Sequence, residues 1–377
     1  MVKRILVILC VLACAGACAR QQPLIRVAIK ADADAVRLSL KGAYSFTDLS
    51  TGKKLLSGRG GTLAALSVCE RQLCIDARPL DTSAVRVQAT KGLGVQSGER
   101  LTWYRGDLDV VTDQAGGLSA VNRLGLEDYL GGVLPREVPA SWPMAVLQAQ
   151  AVASRTYALY RMEQAGNLSY DVSADVLSQV YGGRSAESWR TSRALKRTRG
   201  RAMLYKKQLV PAFFHASCGG HTENALIVWN LDSEVLRGRA CPFCIGRPSY
   251  SWKRNFHTRA VQAQLNSRGY RLGQINNIEV QERSPSGRAV SLRIRDNDNR
   301  TTTVPAAEFR ALLGPDVVRS TLFDVVMQGY YFDLAGNGWG HGVGMCQQGA
   351  CGMALQGKSM LEILQFYYNG ITLKKMY

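Results

Sequence analysis

Histidine is scarce in this chain, with four in 377 residues, so any motif that spends one merits inspection. No repeat recurs at the 20–50-residue periods of solenoids and propellers, and no segment is of low complexity, which excludes a repeat array and a long disordered tract. Acidic residues are few beside basic ones: 29 Asp and Glu face 47 Lys and Arg, a formal net charge of +18. Such a balance calls for an anionic partner or surface, whether nucleic acid, lipid headgroups or a cell-wall polymer. The apolar run at the N-terminus is too short to span a bilayer stably. What remains is long enough to bury a full core and to form two units.

The compartment narrows the choice of partner. Lys3 and Arg4 form a short basic start, Ile5 to Leu9 open an apolar stretch, and small residues follow to Cys18. This is the pattern of an export signal. Ala15-Gly16-Ala17-Cys18 resembles a lipoprotein cleavage site with Cys18 as the lipidated residue, while Val11-Leu12-Ala13-Cys14 competes with it and an ordinary signal peptide is the simpler alternative. Export removes nucleic acid from the partners and leaves the membrane surface and envelope glycan. The expected organisation is a signal segment over 1–18, a β-rich region over 19–100 and the main domain over 101–375.

Seven cysteines follow Cys18: Cys69, Cys74, Cys218, Cys241, Cys244, Cys346 and Cys351. An odd number is awkward in an oxidising compartment. If Cys218, Cys241 and Cys244 bind a metal, the other four form two close pairs, Cys69/Cys74 and Cys346/Cys351, and the count closes. An i,i+5 pair in a continuous helix has Cα atoms about 8–9 Å apart, too far for a bridge, so a Cys346–Cys351 disulfide requires a broken helix.

Alternating apolar and polar residues predict strands at Ile25–Ile29 and Val85–Ala89, and Cys69–Cys74 reads as the staple of a hairpin. Around Pro135-Arg136-Glu137-Val138-Pro139 the prolines argue against a regular helix. Ser141 and Pro143 then suit a helix start, and the run from Met144 to about Gln164 is rich in helix formers, with Gly166 as its stop. On that helix Gln148 and Arg155 share one face and Gln150, Ser154 and Tyr157 another, a polarity that fits either a site or a solvated face. Strands follow at Ala202–Tyr205 and Val210–Phe214, a helix at 257–268, a hairpin at 275–295, a helix at 303–313, a strand at 322–332, and two short helices at about 345–355 and 359–368. The class is α+β: a β-rich core, a long helix carrying the catalytic segment at its N-terminal end, and a small α+β subdomain.

Three groups of residues carry chemistry. Glu137, between two prolines and near Trp142, is the best candidate acid, because rigid apolar surroundings raise a carboxyl pKa toward the range useful for glycosidic cleavage. Its other reading is a surface glutamate. His215-Ala216-Ser217-Cys218-Gly219-Gly220-His221 with Cys241-Pro242-Phe243-Cys244 offers a zinc site: two thiolates from one turn, Cys218 as a third ligand, and His221 or His215 as the fourth. A disulfide among these cysteines is the rival. The third group is Asn337-Gly338-Trp339-Gly340-His341-Gly342-Val343-Gly344-Met345-Cys346-Gln347-Gln348-Gly349-Ala350, a glycine-rich loop displaying a tryptophan, a histidine and a glutamine.

The chain resembles the stage II sporulation protein D family of peptidoglycan lytic transglycosylases. Leu126 to Val133 with Glu137, Trp142-Pro143 and Ala149 to Tyr157 form one block of likeness. Gln179-Val180-Tyr181-Gly182-Gly183 through His215 to Glu223 form a second. The glycine loop, Ile363-Leu364 and Tyr367-Tyr368 form the third. The resemblance implies that Glu137 is the catalytic acid/base for cleavage of the β-1,4 bond of peptidoglycan glycan strands to 1,6-anhydro products. It also implies that Arg155, Tyr157, Gln179, Tyr181, His341 and Gln347 line the groove, the glycines letting a sugar chain lie against backbone. Two departures stand out: the motif commonly carries serine or another small residue where this chain has Cys346, and the Cys241/Cys244 pair occurs in some members only. A glycan-binding module without catalysis and a zinc amidase or peptidase are the competing functions.

Overall fold

The structure, a computed structural model, describes residues 21–377 apart from 71, 113–116, 167 and 176–177. The signal segment with Cys14 and Cys18 lies outside the described residues. The architecture is α+β. Twelve strands from Leu24 to Gly125 build two packed sheets, one of six strands and one that the short strand Val172–Ser173 completes to seven. Strand Ala35–Lys41 shows why they pack: Val36, Leu38 and Leu40 point inward and are buried, while Arg37, Ser39 and Lys41 point away. They meet Phe46, Val85, Val87, Leu108 and Val110 of the facing sheet in one core. The sandwich runs without a break through residue 100, since strands Arg100–Tyr104, Asp107–Thr112 and Leu118–Gly125 belong to it. The hairpin Thr62–Cys69/Gln72–Ile75 carries the expected Cys69–Cys74 disulfide.

The strand Leu118–Gly125 passes directly into helix α1 (Leu126–Glu137), whose first turn holds Glu127 and Asp128, favourable at the positive end of the helix dipole. The expectation that prolines exclude a helix here is corrected. Pro135 sits inside α1 but in its final turn, where the helix ends two residues later and loss of one ladder hydrogen bond is tolerated.

Helix α2 (Met144–Ala165) follows, bounded by Pro143 and Gly166; Ser141 makes no cap. Its faces are buried on two sides. Leu147, Ala151 and Ala158 pack with α1, and Val146, Ala149, Val152, Ala153 and Tyr157 pack into the C-terminal core. This two-sided burial explains a helix with no clean apolar stripe. Helix α3 (Trp189–Arg197) and strand Arg201–Tyr205 close around it. Residues 210–213 are not a strand as expected; only Phe214–His215 pairs, parallel to Met345–Cys346.

After the short helix α4 (Ala225–Trp229), residues 251–337 form the small subdomain. Two three-stranded sheets and helices α5 (Thr258–Asn266) and α6 (Ala306–Leu313) enclose their own core. The expected single strand at 322–332 is a hairpin, Phe323–Gln328 with Tyr331–Asn337. Helices α7 (Gln347–Leu355) and α8 (Met360–Tyr367) and a last strand, Thr372–Lys375, return the chain to the core. Among the described residues no helix is long and apolar enough to cross a membrane.

Candidate active site

Glu137 is the last residue of α1, so its carboxyl lies at the negative end of that helix dipole. It is half-buried, with one edge toward solvent and protein atoms crowding the rest. Burial pushes its pKa up to about 7, against the opposing pull of two hydrogen bonds. Oε1 accepts the Val180 backbone N–H at 3.0 Å and Oε2 faces the Gln347 amide Nε2 at 3.5 Å. No ion pair holds it among the described residues, and Arg136, though adjacent, points outward.

Each neighbour arrives by a specific local device. Gly132 of α1 lets the segment Gln179–Gly183 lie against the helix: a Cβ there would stand 2.7 Å from the Gly183 carbonyl and 2.6 Å from the Tyr181 ring. Gly182 N–H then bonds the Gly132 carbonyl, which fixes Val180 beside Glu137. Gln347 is the first residue of α7 and also reaches Gln150 of α2 at 3.4 Å; Gln150 in turn donates to Ser154. Gln347 thus joins Glu137 and Gln150, which sit on consecutive helices, from about 200 residues away.

The other expected groove residues are interior. Arg155 is fully buried and clasps Glu127 through two bonds of 2.9 Å, while Nη1 donates to the Ala151 and Arg201 carbonyls. Burial pushes the Glu127 carboxyl up, but Arg155, the Tyr377 hydroxyl and the Gly200 N–H bring it below its ordinary value. Tyr157 packs against Phe213 in the core. Gln179 accepts the Tyr129 hydroxyl and donates to the Ser154 carbonyl, and Tyr181 donates to Asn122. All four side chains are buried, and Gln179 and Tyr181 flank Val180. Arg155→Met leaves the Glu127 charge buried and unpaired, an expected loss of about 3–5 kcal/mol in denaturant unfolding.

His341 is also no acid or base. Its Nδ1 accepts the Val343 N–H and its Nε2 donates to the Phe214 carbonyl, which defines a neutral ring with both nitrogens engaged. Burial lowers its pKa to about 4. Packing accounts for the loop glycine Gly344, which has φ +72° and where a Cβ would lie 2.0 Å from the Phe213 carbonyl.

The cluster that could hold a metal differs from expectation at one place. The Sγ atoms of Cys218, Cys241, Cys244 and Cys346 all lie within 4.8 Å of one another, buried together. His221 is turned to the Thr222 carbonyl and His215 to the Val343 carbonyl, so neither is the fourth member. Cys351 stands apart beside Arg247 in a regular α7, and the expected Cys346–Cys351 pair does not form. Four sulfurs around a zinc ion with bonds near 2.3 Å sit about 3.8 Å apart, so the cluster has the right size. The surroundings fit as well. Cys218 and Gly349 N–H groups donate to the Cys346 sulfur, the Tyr367 hydroxyl meets Cys241, and a Cβ on Gly349 would come 2.8 Å from the Cys241 sulfur.

The structure brings the expected Glu137 and Gln347 together; nothing in the sequence pointed to Val180, whose contribution is a backbone N–H, and Cys346 was not among the expected ligands. The signal for Cys346 was present: a cysteine in place of a small residue, in the same chain as a C-x-x-C pair.

Comparison with known proteins bears on this arrangement. The family model described as stage II sporulation protein matches residues 114–205, which contain Glu137, α1, α2 and Val180. A domain of unknown function matches residues 244–344. An uncharacterized protein of Brachyspira hyodysenteriae is 37% identical over 254 residues, covering 67% of each chain. The amidase enhancer of Bacillus subtilis is 29% identical, over 65% of this chain and 40% of its own length. Stage II sporulation protein D of Bacillus amyloliquefaciens is 28% identical, over 68% of this chain and 76% of its own. With the family's segment folded around Glu137 and relatives of that name matching two thirds of its length, the chain belongs to the stage II sporulation protein D family.

Proposed function

We propose that this protein is an exported lytic transglycosylase acting on peptidoglycan glycan strands. The observation that carries the reading is a single carboxyl raised to about 7, with donors aimed at both its oxygens and no second carboxylate beside it among the described residues. Ordinary glycosidases need two acids, one of them to activate water or attack the sugar. A single acid suffices when the substrate's own 6-hydroxyl attacks.

Protonated Glu137 gives its proton to the glycosidic oxygen as the C1–O bond breaks. The carboxylate left behind is stabilised by the Val180 N–H and the Gln347 amide. It then takes the proton of the 6-hydroxyl as that oxygen bonds C1, which closes the anhydro ring and restores the acid without water. Val180 keeps Oε1 occupied by a donor, which directs the transferable proton to Oε2, the oxygen with the longer contact.

Cys218, Cys241, Cys244 and Cys346 would hold a zinc ion, which when bound supplies a closed tetrahedral cross-link with no place for a reactive water. That argues against a zinc amidase or peptidase. Cys346 immediately precedes Gln347, so the cluster sets the position of the residue that meets Glu137. Cys18 is the residue we assign to the lipid anchor, and the +18 charge suits an anionic envelope. Mass spectrometry of glycan strands after incubation is expected to show 1,6-anhydro ends. Capture of strands without cleavage would instead establish the binding-module alternative.

A further inference from the structure

We infer that the small subdomain is a positioning element for the acid site: its buried Arg288, bridged to Glu223 through Ser286, fixes the chain that carries Gln347 to Glu137. Arg288 follows the tight turn of the hairpin Ile275–Arg283/Ala289–Asp296, where the Ser284 N–H donates to the Arg288 carbonyl. Its side chain leaves the subdomain and enters the larger domain, where the residue is only 2% exposed. There Nη2 donates to the Cys218 carbonyl, and Nη1 donates to the His221 carbonyl at 2.9 Å and to the Ser286 hydroxyl at 3.0 Å. Gly342 makes the room: its φ is +87°, and a Cβ there would stand 2.6 Å from the guanidinium carbon.

Glu223 is the buried counter-charge. Its Oε2 accepts the hydroxyls of Ser284 and Ser286, the latter at 2.7 Å, and its Oε1 accepts the Asn224 N–H at 2.8 Å. The Ser286 hydroxyl therefore accepts from the cation and donates to the anion. Both charges hold chain that leads to Gln347. The Cys218 carbonyl is fixed by Arg288, and the Cys218 N–H donates to the Cys346 sulfur at 3.2 Å, one residue before Gln347. The Glu223 N–H donates to the Gly342 carbonyl at 2.8 Å, in the loop that runs to Cys346.

Packing does not account for the pair. The subdomain has its own core around Leu292, Phe309 and Phe332, and apolar residues of similar volume often replace a buried ion pair without loss of stability. A planar guanidinium fork demands one arrangement of the carbonyls it meets, which an apolar contact does not. Arg288 and Glu223 touch neither the acid nor the groove, so their part is to position Gln347. The inference deepens the reading of Glu137 as the acid and rests on it for the rate, though not for the titration of the carboxyl.

The test is a double-mutant cycle on the full chain with Arg288→Lys and Gln347→Ala. Lysine keeps the charge but not the fork, and Ser286→Ala, which cuts only the bridge between the charges, serves as a second variant. Two quantities are read: the rate of 1,6-anhydro product formation, and the titration midpoint of the Glu137 carboxyl by carbon NMR, assigned by its disappearance in Glu137→Gln. Each of Arg288→Lys and Gln347→Ala should lower turnover about tenfold with KM within about twofold. The double variant should fall no more than about twofold below Gln347→Ala, where independent effects would give about a hundredfold. The Glu137 midpoint should rise in Arg288→Lys as in Gln347→Ala, because the contact that lowers it is lost. Ser286→Ala should move both readouts the same way by less. Arg293→Lys, on the same hairpin and paired with Glu279, should move neither. Multiplying losses, a midpoint unmoved by Arg288→Lys even where melting temperature falls, or equal shifts in Arg293→Lys would each overturn the inference. A parent that forms no 1,6-anhydro ends, with the midpoint still moving through Gln347, would sink the catalytic reading and leave the positioning role standing.

Discussion

Glu137→Gln is expected to lower the rate of 1,6-anhydro product formation by about 10²–10⁴-fold while leaving glycan binding nearly unchanged. Glutamine has the same shape and can still accept the Val180 N–H through its carbonyl oxygen. What it lacks is a transferable proton, so a loss confined to turnover separates proton transfer from positioning. The pH profile supplies a second reading of the same residue. The working form is protonated, and burial holds the pKa near 7, so activity should fall as pH rises through neutrality. A variant at Gln347 loses one donor to the carboxylate. Its profile should shift toward higher pH, because that contact pulls the pKa down in the parent. If Glu137→Gln retained full activity, the acid would have to lie elsewhere.

Glu137→Gln should move stability in the opposite sense to activity. The folded pKa of Glu137 lies above its ordinary value of 4.5, so the folded state binds the proton more tightly than the unfolded chain. The advantage is present in full below the unfolded value and is lost as pH rises through about 7. Over that window the carboxyl costs up to about 3 kcal/mol, less what its solvent-facing edge recovers. Glu137→Gln should therefore unfold at higher temperature than the parent at pH 8 and at the same temperature near pH 4. Sites that keep a charge-bearing group in a poor environment for the sake of reaction commonly show this opposition.

How far the sequence could be read depended on the kind of contact involved. Periodic burial was legible: Val36, Leu38 and Leu40 alternate as a sandwich strand must, and α2 begins and ends at its flanking proline and glycine. Glu137 stood out in the sequence for its two flanking prolines, but the partners that meet its carboxyl, Val180 and Gln347, come from elsewhere in the chain. The roles of Arg155 and Tyr157 were not legible. A polar stripe on α2 looks the same whether a groove or another helix covers it, and only the packing of Glu127, Arg201 and Tyr377 around that stripe decides. Pro135 misled because a proline is read as a helix breaker without knowing that the helix ends two residues later. The fourth member of the proposed zinc cluster was not legible for a related reason. Cys346 is more than 100 residues from Cys218, Cys241 and Cys244, and it joins them only because Phe214–His215 pairs in parallel with Met345–Cys346.

That pairing gives the metal proposal its sharpest consequence. The purified protein is expected to carry about one zinc per chain, and Cys346→Ser should abolish that content, as should Cys241→Ser. His221→Ala and Cys351→Ser should keep it, since one ring is turned to the Thr222 carbonyl and the other residue stands apart beside Arg247. A structural Cys₄ zinc site contributes folding free energy on the order of 10 kcal/mol, so a strong chelator should bring a large fall in melting temperature. Four crowded sulfurs would otherwise sit buried without a cross-link. The effect on catalysis should be indirect: loss of the cluster frees the start of α7, and Gln347 no longer meets Glu137. Cys351→Ser keeps metal, melting temperature and activity together, which shows that the losses in Cys346→Ser come from the ligand and not from serine in α7. Zinc retained by Cys346→Ser but lost from His221→Ala would return the fourth position to histidine and refute the thiolate assignment.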